Sequence, residues 1–120
     1  MSVIALLMAA GAGARFGAAQ PKQYLPLLGR AVIRHAAEAL LREGLVDAIQ
    51  PVVAAGEEAR VAGLLAGLPA RPPVAGGETR AASVLAGLEA IAPAAPRIVL
   101  VHDAARPVVP AGTLAALMAA

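Results

Sequence analysis

The 120-residue sequence has no cysteine and no tryptophan, and a single lysine, phenylalanine and tyrosine. Without cysteine there is neither a disulfide framework nor a thiolate metal site, which agrees with a cytoplasmic protein. Charge is equally sparse: only 15% of residues are charged and the net charge is +2. A basic stripe of the kind nucleic-acid binding demands is therefore missing, and the pI near 9.9 reflects a small arginine excess that titrates late. No apolar run is long enough to span a bilayer. Val3 to Ala14 comes nearest, yet no Lys or Arg precedes it, so it reads as a strand and loop rather than a signal peptide or anchor. The two histidines, His35 and His102, cannot build a transition-metal site, and no Ser/His/Asp or Cys/His set is present. What remains open is a small anionic ligand.

What the sequence does have is alanine, valine and leucine, which bring the hydrophobic content to 59% and argue for one domain of tightly packed helices on a sheet. Val3 to Met8 is a short apolar run before a glycine loop, as in a strand buried on both faces of a parallel sheet. Ile33, Ala36, Ala37, Leu40 and Leu41 recur at helical spacing between Ala31 and Glu43, with Arg34, His35, Glu38 and Arg42 outward and Gly44 as the stop. His35 then reads as solvated, and Glu38 can pair with Arg42. Val46 to Ala55 reads as a strand that Pro51 confines to an edge or cuts short. Glu57 to Leu65 follows as a helix with Val61, Leu64 and Leu65 inward. A brief strand at Val74 and Ala75 ends in Gly76-Gly77, and Thr79 caps a helix to Ile91 whose buried face holds Val84, Leu88 and Ile91. Arg97 to Val101 is a further strand ending at His102-Asp103, and a last helix begins near Ala111. Strands alternating with helices predict an α/β fold with a mostly parallel sheet.

Ligands of such sheets bind beyond the carboxyl ends of the strands, where three loops fall: Ala9 to Tyr24, Gly76 to Ser83 and His102 to Pro107. The first is glycine-rich and carries Arg15 and the sole lysine, Lys22, which suits a nucleoside triphosphate. Glycines let backbone N–H groups approach phosphate, and the two cations can neutralise it. A Walker loop is excluded, because Lys22 lies well beyond Gly17 and is followed by Gln23. A dinucleotide fingerprint is disfavoured: Phe16 holds the third glycine position, and no acidic ribose ligand follows the second strand between Val52 and Gly56. Phe16 and Tyr24 read as wedges holding this loop to the domain. In the second loop Glu78, Thr79 and Ser83 are placed either to read a base and hydroxyl or to form an ordinary helix cap. In the third, Asp103 is placed either to hold Mg²⁺ beside a triphosphate or to cap the turn and pair with Arg106.

The segment Ala9 to Arg15 with Pro21-Lys22 resembles the signature of nucleotidyltransferases that move a nucleoside monophosphate onto a sugar or polyol phosphate. Pro21-Lys22-Gln23-Tyr24-Leu25, Gly76 to Arg80 with Ser83 to Leu88, and His102 to Pro107, in that order, are similar to the 2-C-methyl-D-erythritol 4-phosphate cytidylyltransferases of the non-mevalonate isoprenoid pathway. The resemblance implies a three-layer sandwich with a Rossmann-like sheet. It also implies in-line transfer of CMP from CTP to methylerythritol phosphate without a covalent enzyme intermediate. By position, Arg15 and Lys22 would be catalytic, Ala9, Ala10, Gly11, Gly13, Gly77, Glu78 and Ser83 would bind the nucleotide, and Asp103 would hold the Mg²⁺ cofactor. Members of that family continue past the position matched by Ala120 with further strands, polyol-phosphate contacts and a homodimer arm. Residues 1–120 are thus expected to be a CTP-binding domain lacking its C-terminal portion, weak in CTP binding and turnover, with no nucleic-acid or membrane partner. A ribitol-5-phosphate cytidylyltransferase and a non-catalytic nucleotide-binding module are the competing readings.

Overall fold

The computed structural model describes residues 3–11 and 22–119, with Lys22 described for its backbone only. Strand β1 (Val3–Ala9) is buried at every position. A 3₁₀ turn at Lys22–Tyr24 leads into a small antiparallel hairpin, β2 (Pro26–Leu27) and β3 (Arg30–Ala31), and then into helix α1 (Val32–Leu41). There follow β4 (Ala48–Val53), α2 (Glu58–Leu64), β5 (Val74–Ala75), α3 (Arg80–Ile91), β6 (Ile98–Asp103) and α4 (Thr113–Ala119). The main sheet has the order β5-β4-β1-β6, and all its pairings are parallel.

Alternation along β1 builds the layers, since successive side chains of a strand point to opposite faces. Val3, Ala5, Leu7 and Ala9 pack with Ile33, Ala36, Ala37 and Leu40 of α1, Val61 of α2 and Leu114 of α4. Ile4, Leu6 and Met8 pack on the other face with Val52 of β4 and Val84 and Ile91 of α3. The result is the three-layer α/β sandwich that the motif resemblance implied. Burying each such Leu or Ile is worth roughly 1.5–3 kcal/mol, so β1 anchors both layers at once. Helix α3 comes close because of Gly87: a Cβ there would lie 2.8 Å from Val52 Cγ2 and 3.1 Å from the Leu6 methyl groups.

Pro51 sits neither on an edge nor at a break. Strand β4 runs through it, between β5 and β1, with Pro51 opposite Leu7. Ile49 bonds outward, its N–H to the Pro69 carbonyl at 2.9 Å and its carbonyl to the Arg71 N–H at 2.8 Å. Two residues on, the proline nitrogen faces the same side, where nothing pairs between the Ile49–Ala70 bridge and the start of β5. The missing donor therefore costs no ladder bond. Buried Gln50 closes the gap instead, its amide donating to the Pro51 and Pro72 carbonyls at 2.9 and 3.0 Å and accepting from Arg71 Nε at 3.0 Å.

Three smaller expectations are also corrected, and a hairpin stands where the sequence carried no reading: Leu28 and Gly29 both take positive φ (52° and 82°), as in the tight turns that suit strand twist. His35 is half-buried rather than solvated, because Nε2 donates to the Leu27 carbonyl of that hairpin. Glu38 turns to Arg30, at 2.6 Å, and to Arg34, at 3.3 Å, rather than to Arg42. Leu88 is 41% exposed, and Ser83 and Gly87 hold the buried face of α3 with Ile91. Helix α1 does stop at Gly44, whose φ is 74° and whose N–H reaches the Leu41 carbonyl.

Tyr24 lies in the core, 5% exposed, with the Arg60 guanidinium 4.2 Å above its ring. Among the described residues its hydroxyl has no hydrogen-bond partner. Burial, and then the negative charge of Glu57, raise its pKa above 10.0 against the opposing pull of Arg60. The folded state thus holds this proton more tightly than the unfolded state. Tyr24 leaves stability unchanged below pH 10 and removes it as pH rises further. Urea titrations should show that decline flattened in Tyr24→Phe. For Gly87→Val, overpacking against Leu6 and Val52 should lower stability by about 1–3 kcal/mol in the same assay, and an unchanged urea midpoint would contradict the close approach of α3.

Candidate functional site

From β1 the chain moves outward to β4 and β5 and then crosses back to β6 on the other side of β1. This reversal creates a crevice beyond the carboxyl ends of β1 and β6, the place where open α/β sheets bind ligands. Ala9, buried, and then Ala10 and exposed Gly11 lead into it. The candidate residues Gly13 and Arg15 lie outside the described residues, as does Phe16. Beyond them the 3₁₀ turn brings the Lys22 backbone back to β1, because the Gln23 amide donates to the Ala9 carbonyl at 3.1 Å and Tyr24 is embedded in the core below. Gln23 was not singled out as a functional residue, and a lone amide after a lysine carries no signal that would have marked it.

The second loop is drawn onto the first. The Gly76 N–H donates to the Val53 carbonyl at 2.7 Å. A Cβ on Gly76 would lie 2.6 Å from both Ala10 Cβ and Ser83 Oγ, so only glycine lets the β1 loop, the β5 loop and α3 converge here. Ser83, 4% exposed, accepts from the Gly77 N–H at 3.1 Å and directs its hydroxyl at the Gly77 carbonyl, 3.3 Å away. Its side chain therefore sets the shape of the Gly77 turn. Thr79 caps α3 as anticipated, Oγ1 accepting from the Ala82 N–H at 3.0 Å, and Glu78 stands exposed beside it.

The third loop continues β6 past its pairing with β1, the Ala104 N–H donating to the Met8 carbonyl at 2.9 Å. His102 is hydrogen-bonded as expected of a packed side chain, Nε2 donating to the Arg106 carbonyl at 2.8 Å. Asp103 is engaged from two sides: Arg80 Nη1 lies 2.7 Å from Oδ1, and Arg106 Nε lies 3.6 Å from Oδ2. The Arg106 contact was foreseen; Arg80 was not given a role. A signal existed, since an arginine at the first position of a helix is at the unfavourable end of the helix dipole and needs a reason to be there.

The crevice thus gathers Ala9, Ala10, Gly11, Gly77, Ser83, Asp103 and the backbone of Lys22. Among the described residues no group of three or more His, Cys, Asp or Glu is placed to hold a metal ion. A protein-built cage is absent from these residues. A single half-buried carboxylate at a strand end still fits a hard octahedral cation that takes most of its ligands from water and phosphate. Because Gly76 seals the contact between two walls, Gly76→Ala should force Ala10 and Ser83 apart and lower stability by about 1–3 kcal/mol in urea unfolding. An unperturbed midpoint would show that the loops are not locked together there.

Comparison with known proteins agrees with this geometry. The sequence profile of the IspD family, 2-C-methyl-D-erythritol 4-phosphate cytidylyltransferase, matches residues 3–120. A bifunctional IspD/IspF enzyme of Granulibacter bethesdensis is 50% identical over 120 residues, covering 100% of this chain and 31% of the relative. The 2-C-methyl-D-erythritol 4-phosphate cytidylyltransferase of Bordetella pertussis is 46% identical over 124 residues, covering 98% of this chain and 53% of the relative. The crystal structure of 4-diphosphocytidyl-2C-methyl-D-erythritol synthase from Anaerococcus prevotii superposes with a TM-score of 0.76 at 26% identity, over 98% of this chain and 49% of that one. The chain spans about a third of the length of the bifunctional relative and about half that of the single-function one. With a profile match over almost its whole length and relatives near half identity, the chain belongs to the IspD family of cytidylyltransferases.

Proposed function

We propose that residues 1–120 form the CTP-binding portion of an enzyme that transfers CMP from CTP to 2-C-methyl-D-erythritol 4-phosphate, giving CDP-methylerythritol and pyrophosphate. The observation that carries this reading is the convergence of all three motif-bearing loops at the reversal between β1 and β6. In the reaction an oxygen of the polyol phosphate attacks the α-phosphorus of CTP in line, and the bond from that phosphorus to the β-phosphate oxygen breaks. No proton needs to be taken from a carbon or hydroxyl, so the protein acts through position and charge. Backbone N–H groups of Ala10, Gly11 and Gly13 approach the phosphates with Ala9 at their base, and Arg15 and Lys22 neutralise the charge that grows on the five-coordinate phosphorus. Gly77 and Glu78 face cytosine and ribose, with Ser83 holding the Gly77 turn. Asp103 would hold Mg²⁺, which supplies charge neutralisation on the triphosphate when bound.

Among the described residues no helix is long and apolar enough to cross a membrane. Strand β6 is the edge of the main sheet, Val101 on it is 47% exposed, and Leu85 and Leu88 on α3 are 56% and 41% exposed. The uncovered edge at β6 supports a longer domain that adds strands there, and the polyol-phosphate contacts and a homodimer interface are proposed for that further part.

A thermal-shift panel of CTP, UTP, ATP, GTP and NAD with Mg²⁺ tests the nucleotide half. CTP at a hundred times its Kd should add about 2.7 kcal/mol of stability, and the other ligands less. Preference for NAD, or for ATP over CTP, would reject the reading. In a protein carrying the additional strands, Lys22→Ala should lower kcat by about 10²–10³-fold, as removal of a transition-state charge partner does.

A further inference from the structure

Asp103 and Arg80 come from distant parts of the chain: one closes β6, the other opens α3, and 2.7 Å separates Oδ1 from Nη1. Three facts make this contact more than a surface ion pair. It joins the second and third walls of the crevice through a side-chain bond. It places a cation at the first residue of a twelve-residue helix whose first turn holds no acidic residue, where the helix dipole disfavours positive charge. And, with Arg106 near Oδ2, it leaves both oxygens of Asp103 facing a guanidinium, so a divalent cation held by this carboxylate would meet a competing cation there. Local rules broken in this way are expected where function demands it.

We propose that Arg80 is a positioning residue that occupies Asp103 in the nucleotide-free protein and so makes divalent-cation binding at Asp103 conditional on a triphosphate. The inference rests on the reading of the crevice as a CTP site and adds an order of events to it. With no nucleotide, a cation has to displace Arg80 from Oδ1 while Arg106 stays near Oδ2 at 3.6 Å. A triphosphate supplies three things together: oxygen ligands for the cation, a partner for the released guanidinium, and negative charge to offset both. Arginine suits this exchange because its planar fork binds carboxylate and phosphate alike. The two ligands are thereby coupled, and the coupling is reciprocal. Free cation would find little purchase on the empty protein, and Asp103 would stay aligned between two guanidinium groups until the nucleotide arrives.

The experiment measures binding of Mn²⁺ to the purified protein without nucleotide, by electron paramagnetic resonance, in wild type, Arg80→Gln, Arg80→Lys and Asp103→Asn. Urea midpoints of the same samples establish that each variant folds. Removing the competitor should tighten Mn²⁺ binding by about 5-fold or more, the lower end of ordinary coupling between sites. Arg80→Lys should remain near wild type, and Arg80→Gln/Asp103→Asn should lose the gain. An Arg80→Gln protein that folds but binds Mn²⁺ no better than wild type, or not at all, overturns the proposal. So does a gain that persists when Asp103→Asn is added. If CTP produces no thermal shift while Arg80→Gln still tightens Mn²⁺, the functional reading fails and the competition at Asp103 stands. If CTP binds and Mn²⁺ is indifferent to Arg80, the reverse holds.

Discussion

Burial of β1 on both faces is the constraint on which the molecule depends. Every residue from Val3 to Ala9 is removed from solvent, with odd positions packed on α1, α2 and α4 and even positions on α3. A strand so enclosed cannot shift register by one residue without turning each side chain into the wrong layer. Its carboxyl end is therefore fixed in space, and the glycine-rich segment begins at that fixed point. The same rigidity passes to the neighbours: β4 and β6 pair with β1 along most of their lengths, so Val53 and Asp103 end beside Ala9 and Met8. Chemistry on the loops is thus referred to a strand that has no freedom of its own.

Much of this was legible in the sequence for one reason: buried strands and amphipathic helices impose periods, and periods survive in composition. β1 follows from its short apolar run before a glycine loop, α1 from helical spacing, and the α3 cap from a threonine ahead of an apolar stretch. Where reading failed, a single residue was judged by its average behaviour. Pro51 disfavours a central strand on average, but its nitrogen faces a gap in the ladder that Gln50 fills, and no pattern in the sequence discloses a gap in a neighbouring strand. Leu28 at positive φ is rare, so the hairpin carried no Asn-Gly signal, and His35 looked solvated because the carbonyl it donates to belongs to that hairpin. Leu88 sits at helical spacing with Ile91 but is 41% exposed, the buried face of α3 running through Ser83, Gly87 and Ile91 instead.

The candidate site was legible to a different depth. Glycines, the sole lysine and the strand-end aspartate mark the loops in sequence, yet which loops touch depends on one methylene that Gly76 lacks. That glycine was read as a turn residue, whereas its place in the structure is a contact among Ala10, Gly76 and Ser83. Ser83 shows the same distinction. Its position in the motif suggested a hydroxyl offered to a ligand, and the structure uses that hydroxyl on the Gly77 backbone.

These observations fit together if the crevice is held open by the protein's own polar groups. Gln23 takes the Ala9 carbonyl, Ser83 takes Gly77, His102 takes the Arg106 carbonyl, and Arg80 and Arg106 take Asp103. Backbone groups and charges near a phosphate site are expensive to leave unpaired, and each of these bonds satisfies one without filling the space a ligand needs. The donors toward a phosphate then have little reorganising to do when it arrives. The exception is Asp103, whose partners are themselves cations and can exchange a carboxylate for a phosphate. Of the named contacts in the crevice, only the one at Asp103 would, on the proposed reading, change partner by the same charge logic that draws a nucleotide in, which would make that carboxylate the point where substrate binding is felt by the rest of the site.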